Sequence, residues 1–325
     1  MKTKIKTFIF LLIGISSLLL FNSQKPEISR EILWTTAWSP NGKFIAVGGN
    51  QGDLKLFDGK TFQLIKTFPV KDVIMSRLKW HPTRNLLAVV TQDRDVIARI
   101  LNVDSDTWID LQGLESSSRG VDWNRTGELL AVSEFEGEVS VFTPQGKRIS
   151  RFMADPMSVT DLDWHPNKDV MVTVGSQIGI YRALGDTINN FKSRNKKVLL
   201  LCVEWHPSGD FFVSGDYGDF DSREVENVLL QFWNPDGIKI FEITSGEKEY
   251  RNIRWNPIGT KLASASEALR IWSAEGSLDA ESQASDDLLW GVDWSPDGKF
   301  IVTSSRKGHI VLWDNKARKM RELEY

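Results

Sequence analysis

Apolar residues recur along this chain in short alternating runs, each broken by a similar polar turn. Two places before a tryptophan stands an apolar residue in six units, namely Leu78, Val121, Leu162, Val203, Ile253 and Val292, with Thr36 in that slot of the first. Alternation by two predicts a strand with one face buried. The tryptophan opens a Trp-x-Pro-x-Gly stretch in the fullest copies, as at Trp38-Ser39-Pro40-Asn41-Gly42 and Trp294-Ser295-Pro296-Asp297-Gly298. Proline sets one backbone angle and glycine permits a left-handed one, so a tight turn into a second strand follows, such as Phe300-Ile301-Val302. A polar turn leads to a third strand, as in Leu54-Lys55-Leu56-Phe57-Asp58 and Ile310-Val311-Leu312-Trp313-Asp314, and a more variable fourth completes the unit. No stretch sustains a helical period.

The repeat tryptophans are Trp38, Trp80, Trp123, Trp164, Trp205, Trp255 and Trp294, separated by 42, 43, 41, 41, 50 and 39 residues. A period of about 40 to 45 residues is that of a four-stranded propeller blade. The predicted fold is therefore all-β, a seven-bladed β-propeller with four antiparallel strands per blade, occupying residues 24–325. Each repeat tryptophan can bury about 150–250 Å². At about 25 cal/mol per Å² that is about 4 to 6 kcal/mol of gross burial apiece, so these side chains are expected to carry the packing between blades.

The first residues break the pattern. Lys2, Lys4 and Lys6 precede a run from Phe8 to Phe21 interrupted only by Gly14, Ser16 and Ser17, and a polar stretch from Asn22 to Lys25 follows. That order predicts a secretory signal over residues 1–23. The run is shorter than the roughly 20 apolar residues of a membrane-spanning helix. No small-x-small site stands near Ser23 and no cysteine follows to accept a lipid, so an uncleaved hydrophobic anchor stays open beside a cleaved signal. Either reading places the protein outside the cytoplasm, secreted or in the periplasm or cell envelope, with membrane contact only through this segment.

Without residues 1–23 the chain carries 37 basic against 43 acidic residues. Nucleic acid is excluded as an expected partner, because its binders cluster Lys and Arg against phosphates, and here the longest basic run is Arg194-Asn195-Lys196-Lys197. The lone cysteine, Cys202, lies in the apolar run Leu199-Leu200-Leu201-Cys202-Val203 and reads as a small buried hydrophobe.

With these hairpins on the page, residues 30–325 resemble the WD-repeat family, whose repeats carry an aromatic-Ser-Pro-Asp-Gly hairpin and end the third strand in Trp-Asp. Only Trp313-Asp314 keeps that dipeptide literally; Phe57-Asp58, Leu101-Asn102, Phe142-Thr143, Tyr181-Arg182, Trp233-Asn234 and Trp272-Ser273 hold the equivalent slots. No Gly-His pair precedes a first strand, so the family's buried Asp-His-Ser-Trp network is expected to be missing. The resemblance implies that the slot four residues before the repeat tryptophan lies on one face of the ring. That slot holds Trp34, Ser76, Arg119, Thr160, Leu201, Arg251 and Trp290. In a closed ring Arg251, Trp290 and Trp34 come from adjacent blades, and Trp and Arg are enriched at interface hot spots. Trp34, Trp290, Arg251 and Arg119 are thus the candidate partner-binding residues, with packing over the rim as the alternative.

Catalytic motifs are not evident: the chain contains no His-Glu-x-x-His, Cys-x-x-Cys, Gly-x-Ser-x-Gly or Gly-Lys-Ser/Thr loop. His81, His165 and His206 share the slot after the repeat tryptophan, which Ser39, Asn124, Asn256 and Ser295 fill elsewhere, so a polar turn residue is expected there rather than a metal ligand. The slot before the tryptophan reads Ala37, Lys79, Asp122, Asp163, Glu204, Arg254 and Asp293. It predicts a charged ring in the central channel, read as cross-blade ion pairs, with a cation site as the alternative. The fifth repeat is longer by an acidic insertion at residues 216–226, read as a solvated loop on the same face as the candidate binding residues, with contact to a basic partner or calcium as the alternative. The expected function is a non-catalytic, monomeric scaffold for a protein or peptide partner, without cofactor or metal. A propeller enzyme, hydrolase or oxidoreductase, and a lectin-like glycan-binding module are the alternatives.

Overall fold

Strands follow one another four to a repeat in the computed structural model, which describes residues 31–70, 73–93, 95–194, 198–219, 228–246 and 248–325. Residues 1–23, expected to be a signal or anchor, lie outside the described residues. Seven four-stranded antiparallel sheets form, spanning residues 33–69, 75–110, 121–153, 159–191, 198–246, 252–281 and 289–322, and we number these blades 1 to 7. Within each, the strands pair in sequence order, and no helix occurs among the described residues. The expected seven-bladed propeller is the observed fold.

Seven separate hydrophobic clusters fill the seams between consecutive blades. Each contains the repeat tryptophan of the later blade. Trp123, 5% exposed, packs against Ala88, Val90 and Ile100 of blade 2. Four of these indoles also donate across the seam to a backbone carbonyl: Trp80 to Ala37 at 3.0 Å, Trp123 to Lys79 at 3.2 Å, Trp164 to Asp122 at 3.1 Å and Trp294 to Arg254 at 3.0 Å. In these four blades the tryptophan thus satisfies its one polar atom while burying its rings, whereas the indole nitrogens of Trp38, Trp205 and Trp255 are buried without a partner among the described residues.

Among the described residues the ring closes without strand exchange. Blade 7 is built from residues 289–322 alone and blade 1 from 33–69, and the seam between them is Leu33, Trp38, Ile45, Val47 and Phe57 against Val302, Ile310, Leu312 and Leu323. Closure rests on this apolar packing together with the Asp293 carboxylate, which accepts the Trp38 amide at 2.6 Å.

Part of the hydrogen-bond network expected to be missing is present. In blades 5, 6 and 7 the third-strand tryptophan donates to a second-strand hydroxyl: Trp233 to Ser214 at 3.0 Å, Trp272 to Ser264 at 2.9 Å and Trp313 to Thr303 at 2.8 Å. The indole and the hydroxyl suffice for this arm even where the following aspartate has been replaced. In blade 4 Tyr181 stands in that slot and donates instead to the Ala154 carbonyl at 2.6 Å.

The fifth blade departs from expectation in a second way. Its second strand runs Phe212–Asp219, so Asp216, expected in an acidic loop, is a buried strand residue. It accepts the Leu229 amide at 3.0 Å and pairs with Arg194, and these bonds draw it inward. Residues 220–227 of the insertion lie outside the described residues.

Candidate functional site

The seven innermost strands surround a channel whose two ends differ. Alternation would place positions one and three before the repeat tryptophan toward the axis and position two in the seam, and position two is indeed core at Leu78, Val121, Leu162, Val203, Ile253 and Val292. Position five is core as well, at Leu33, Met75, Val159, Leu200 and Leu289. Two seam positions an odd number apart require one extra residue between them, and the register shifts at that point in blades 1, 2, 4, 5 and 7. This β-bulge re-aims the fourth position. Trp34, Ser76, Thr160, Leu201 and Trp290 are the bulged residues.

Ser76 and Thr160 donate to backbone carbonyls, of Ser118 at 2.6 Å and Val174 at 3.0 Å, while Trp34 and Trp290 meet at one end of the channel, its closed end. The Trp34 and Trp290 rings lie 4.5 Å apart between centroids, tilted by 56°. The Arg251 guanidinium lies 4.3 Å from the Trp290 ring centroid and 5.7 Å from that of Trp34. Arg119, from blade 3, donates to the Arg251 carbonyl of blade 6 at 3.0 Å. Blades 3 and 6 stand nearly opposite in a ring of seven, so this bond crosses the axis. Beneath it, Arg77 and Asp161 form an ion pair at 2.7 Å with almost no exposure. The cations crowd here: burial first, then Arg77 and Arg251, pull the Arg119 guanidinium down to about 9.

The four candidate residues are therefore brought together, but not all as surface groups. Trp34 and Arg251 are partly exposed, whereas Trp290 and Arg119 are buried, at 8% and 6%. Arg251 is also held by Glu249 at 3.0 Å. Position alone marked these residues; the bulge at Trp34 and Trp290 leaves no mark in the sequence, and Arg119 and Arg251 come from blades 3 and 6, whose first strands pair without a register shift.

At the other end, the slot before the tryptophan forms the expected cross-blade pairs. Lys79 lies 3.2 Å from Asp122 and 3.3 Å from Asp163, while Arg254 lies 3.7 Å from both Glu204 and Asp293. Each acid has a further duty not foreseen from the sequence. Its second oxygen accepts the backbone amide of the next blade's repeat tryptophan: Asp122 from Trp164 at 2.8 Å, Asp163 from Trp205 at 2.8 Å, Glu204 from Trp255 at 3.0 Å and Asp293 from Trp38 at 2.6 Å. These are latches across four of the seven seams. Burial holds the Asp163 and Asp293 carboxyls above the ordinary aspartate range and pushes Glu204 up to about 7, against the pull of Arg254 and Lys79. Lys79 remains firmly protonated: burial and Arg254 work against it, but Asp122, Asp163 and Glu204 outweigh them. This end opens into a cavity of about 500 Å³ whose charged lining is Lys79, Arg125 and Arg254 with Asp122, Glu204 and Asp293, beside repeat tryptophans and hairpin prolines.

The repeated histidines are struts between blades. His81, His165 and His206 each contact the carbonyl of the next blade's hairpin glycine, Gly127, Gly209 and Gly259, at 3.1, 3.1 and 2.7 Å. Each ring also packs on that blade's tryptophan, with centroids 4.7 to 5.0 Å apart. A Cβ on Gly127 would stand 2.1 Å from the His81 ring, so the pairing of histidine with glycine one repeat later was a readable signal. Burial, reinforced by Arg84, lowers His81 to about 4 and keeps it neutral. Among the described residues, no group of three or more His, Cys, Asp or Glu side chains is arranged to hold a metal ion.

The model of the anaphase-promoting complex subunit 4 WD40 domain matches residues 16–81 and 78–167, and that of the WD domain, G-beta repeat, matches 185–222 and 276–314. The chain is 23% identical over 309 residues to protein transport protein sec13 of Emericella nidulans, covering 87% of this chain and 92% of that one. It is 21% identical to the B-type cell cycle switch protein ccs52B of Medicago truncatula, over 78% of this chain and 52% of that protein. It is 22% identical to the intraflagellar transport protein 80 homolog of Rattus norvegicus, over 58% of this chain and 23% of that protein. The three are named for transport and switching, not for a reaction. Cell-cycle switching and intraflagellar transport proceed inside cells, which corrects the expectation of a secreted, periplasmic or envelope-anchored protein. That expectation rested on a short basic-then-apolar order at the N-terminus, a pattern of composition that the relatives' setting outweighs.

Proposed function

The chain belongs to the WD-repeat β-propeller family, and on that premise we propose that it is a non-catalytic scaffold that binds a protein or peptide at the closed end of its channel. Trp34 and Arg251 make the contact, and Trp290 and Arg119 hold them in place from beneath. The observation that carries this reading is the stack of the Arg251 guanidinium against two indole rings from neighbouring blades, with Trp34 and Arg251 still reachable from solvent. Such a cluster is ordered before a partner arrives. Little side-chain freedom is then lost on binding, which favours affinity from a small contact.

The alternatives are less well served. A lectin-like site needs a bare indole face for a sugar to stack on, and the Trp290 ring is already engaged by Trp34 and Arg251. Affinity capture with the full chain tests the proposal, using Trp34→Ala and Arg251→Ala as comparisons. Each variant should lose a captured protein by about tenfold or more, with melting temperature nearly unchanged because both side chains are partly exposed. Equal capture by both variants sinks the proposal, and glycan retention without protein capture moves it to the lectin-like reading.

A further inference from the structure

Three arginines meet two carboxylates at the closed end of the channel. Arg77 pairs with Asp161 and Arg251 with Glu249, whereas Arg119 has no carboxylate within ion-pair distance among the described residues. Its hydrogen bond goes to the Arg251 carbonyl at 3.0 Å, a neutral acceptor, and the residue is more than nine-tenths buried. A buried cation without a counter-charge is costly. Burial first, then repulsion from Arg77 and Arg251, lowers the Arg119 guanidinium, and Asp161 returns less than either takes. Acids in the surrounding loops do not fill the gap, because they are spent on near neighbours: Glu31 on Lys55, Glu134 on the Glu115 and Ser116 amides, Asp155 on the Met157 and Ser158 amides, and Asp216 on Arg194.

Arg251 is placed to receive the missing charge from outside. Glu249 meets Nε at 3.1 Å and Nη2 at 3.0 Å through a single oxygen, and Nη1 has no acceptor among the described residues. The Trp290 ring, with its centroid at 4.3 Å, fixes the guanidinium without using any of its N–H donors, and 18% of the Arg251 side chain is exposed. We propose that the group recognised at this end is an aspartate or glutamate side chain of a peptide partner. One carboxylate oxygen takes Arg251 Nη1, and its charge lies over the Arg119–Arg251 bond, giving the third arginine the counter-ion it lacks. This partner chemistry rests on the closed end being the binding site, and goes one step further by naming what binds. A basic side chain is repelled by the three guanidiniums, and an amide side chain offers the oxygen without the charge.

Selection of a random-peptide library displayed on phage against the full chain, at low ionic strength, tests this. Retained peptides should be enriched in aspartate or glutamate. Fluorescence anisotropy of a labelled retained peptide should show binding at least about tenfold weaker when its acid is replaced by the matching amide, and about as much weaker in Arg251→Gln. Added salt should weaken the acidic peptide and leave the amide peptide alone. Arg119→Gln should narrow the gap between acidic and amide peptides, a change that loss of packing alone does not produce, while Asp106→Asn on the outer rim leaves the gap as it is. Retained peptides that tolerate the amide but are lost in Trp34→Ala overturn the acidic partner and leave the binding site standing. A selection that retains no peptide overturns it as well, and the protein capture described above then decides separately whether this end binds at all.

Discussion

The two ends of the channel are built from the same seven strands and solve opposite problems. At the closed end an extra residue in five of the first strands re-aims one side chain each, among them the paired rings of Trp34 and Trp290, and arginines from blades 2, 3 and 6 gather there. At the open end strict alternation holds, short acids latch one blade to the next, and the axis stays hollow. Bulges in five blades therefore separate an end where rings and arginines pack from an end where alternation brings charges to the mouth. The closed end gathers arginines against two indole rings, whereas the open end keeps acids and bases paired around a hollow mouth.

The comparison can be broken first at what both ends share. Trp123→Ala removes a seam indole together with its bond to the Lys79 carbonyl, and about 3–5 kcal/mol of stability should go with it. Calorimetry should show the melting temperature falling by about 10 °C, and a drop of less than a few degrees would mean that the seams do not rest on these rings. Asp161→Ala at the closed end leaves the Arg77 guanidinium buried without its carboxylate and should cost about 3 kcal/mol. A near-neutral result there would show that the arginine layer is wet rather than packed.

Glu204→Gln at the open end should act with the opposite sign. A carboxyl raised to about 7 from an ordinary value of 4.5 favours the fold while protonated, so its contribution is complete below pH 4.5 and lost as pH rises through 7. The variant should melt a few degrees higher than the native chain at pH 8 and differ little at pH 4.5, measured by thermal scans at both values. A lower melting temperature at pH 8 would show that the ionised carboxylate is well paired, removing the contrast between the ends. The smallest effect belongs to neither end. Asp106→Asn, which suits the left-handed backbone there at φ 56°, removes the charge of an exposed outer-rim pair with Lys66 and should change stability by less than about 0.5 kcal/mol in denaturant titration.

Blade count, strand order and the identity of every seam tryptophan were legible in the chain, because a repeat that cannot bury its apolar face alone must stack on its neighbours, and its period records that need. The charged ring was legible too, since alternation carries one residue per blade to the axis. The double use of each acid was not, because Trp164, Trp205, Trp255 and Trp38 offer their amides from a different blade, 42 to 255 residues away. Nor was the burial of Trp290 and Arg119 legible. Bulges are set by how strands pair and bonds across the axis by how the ring closes, and both are decided only when all seven blades are in place.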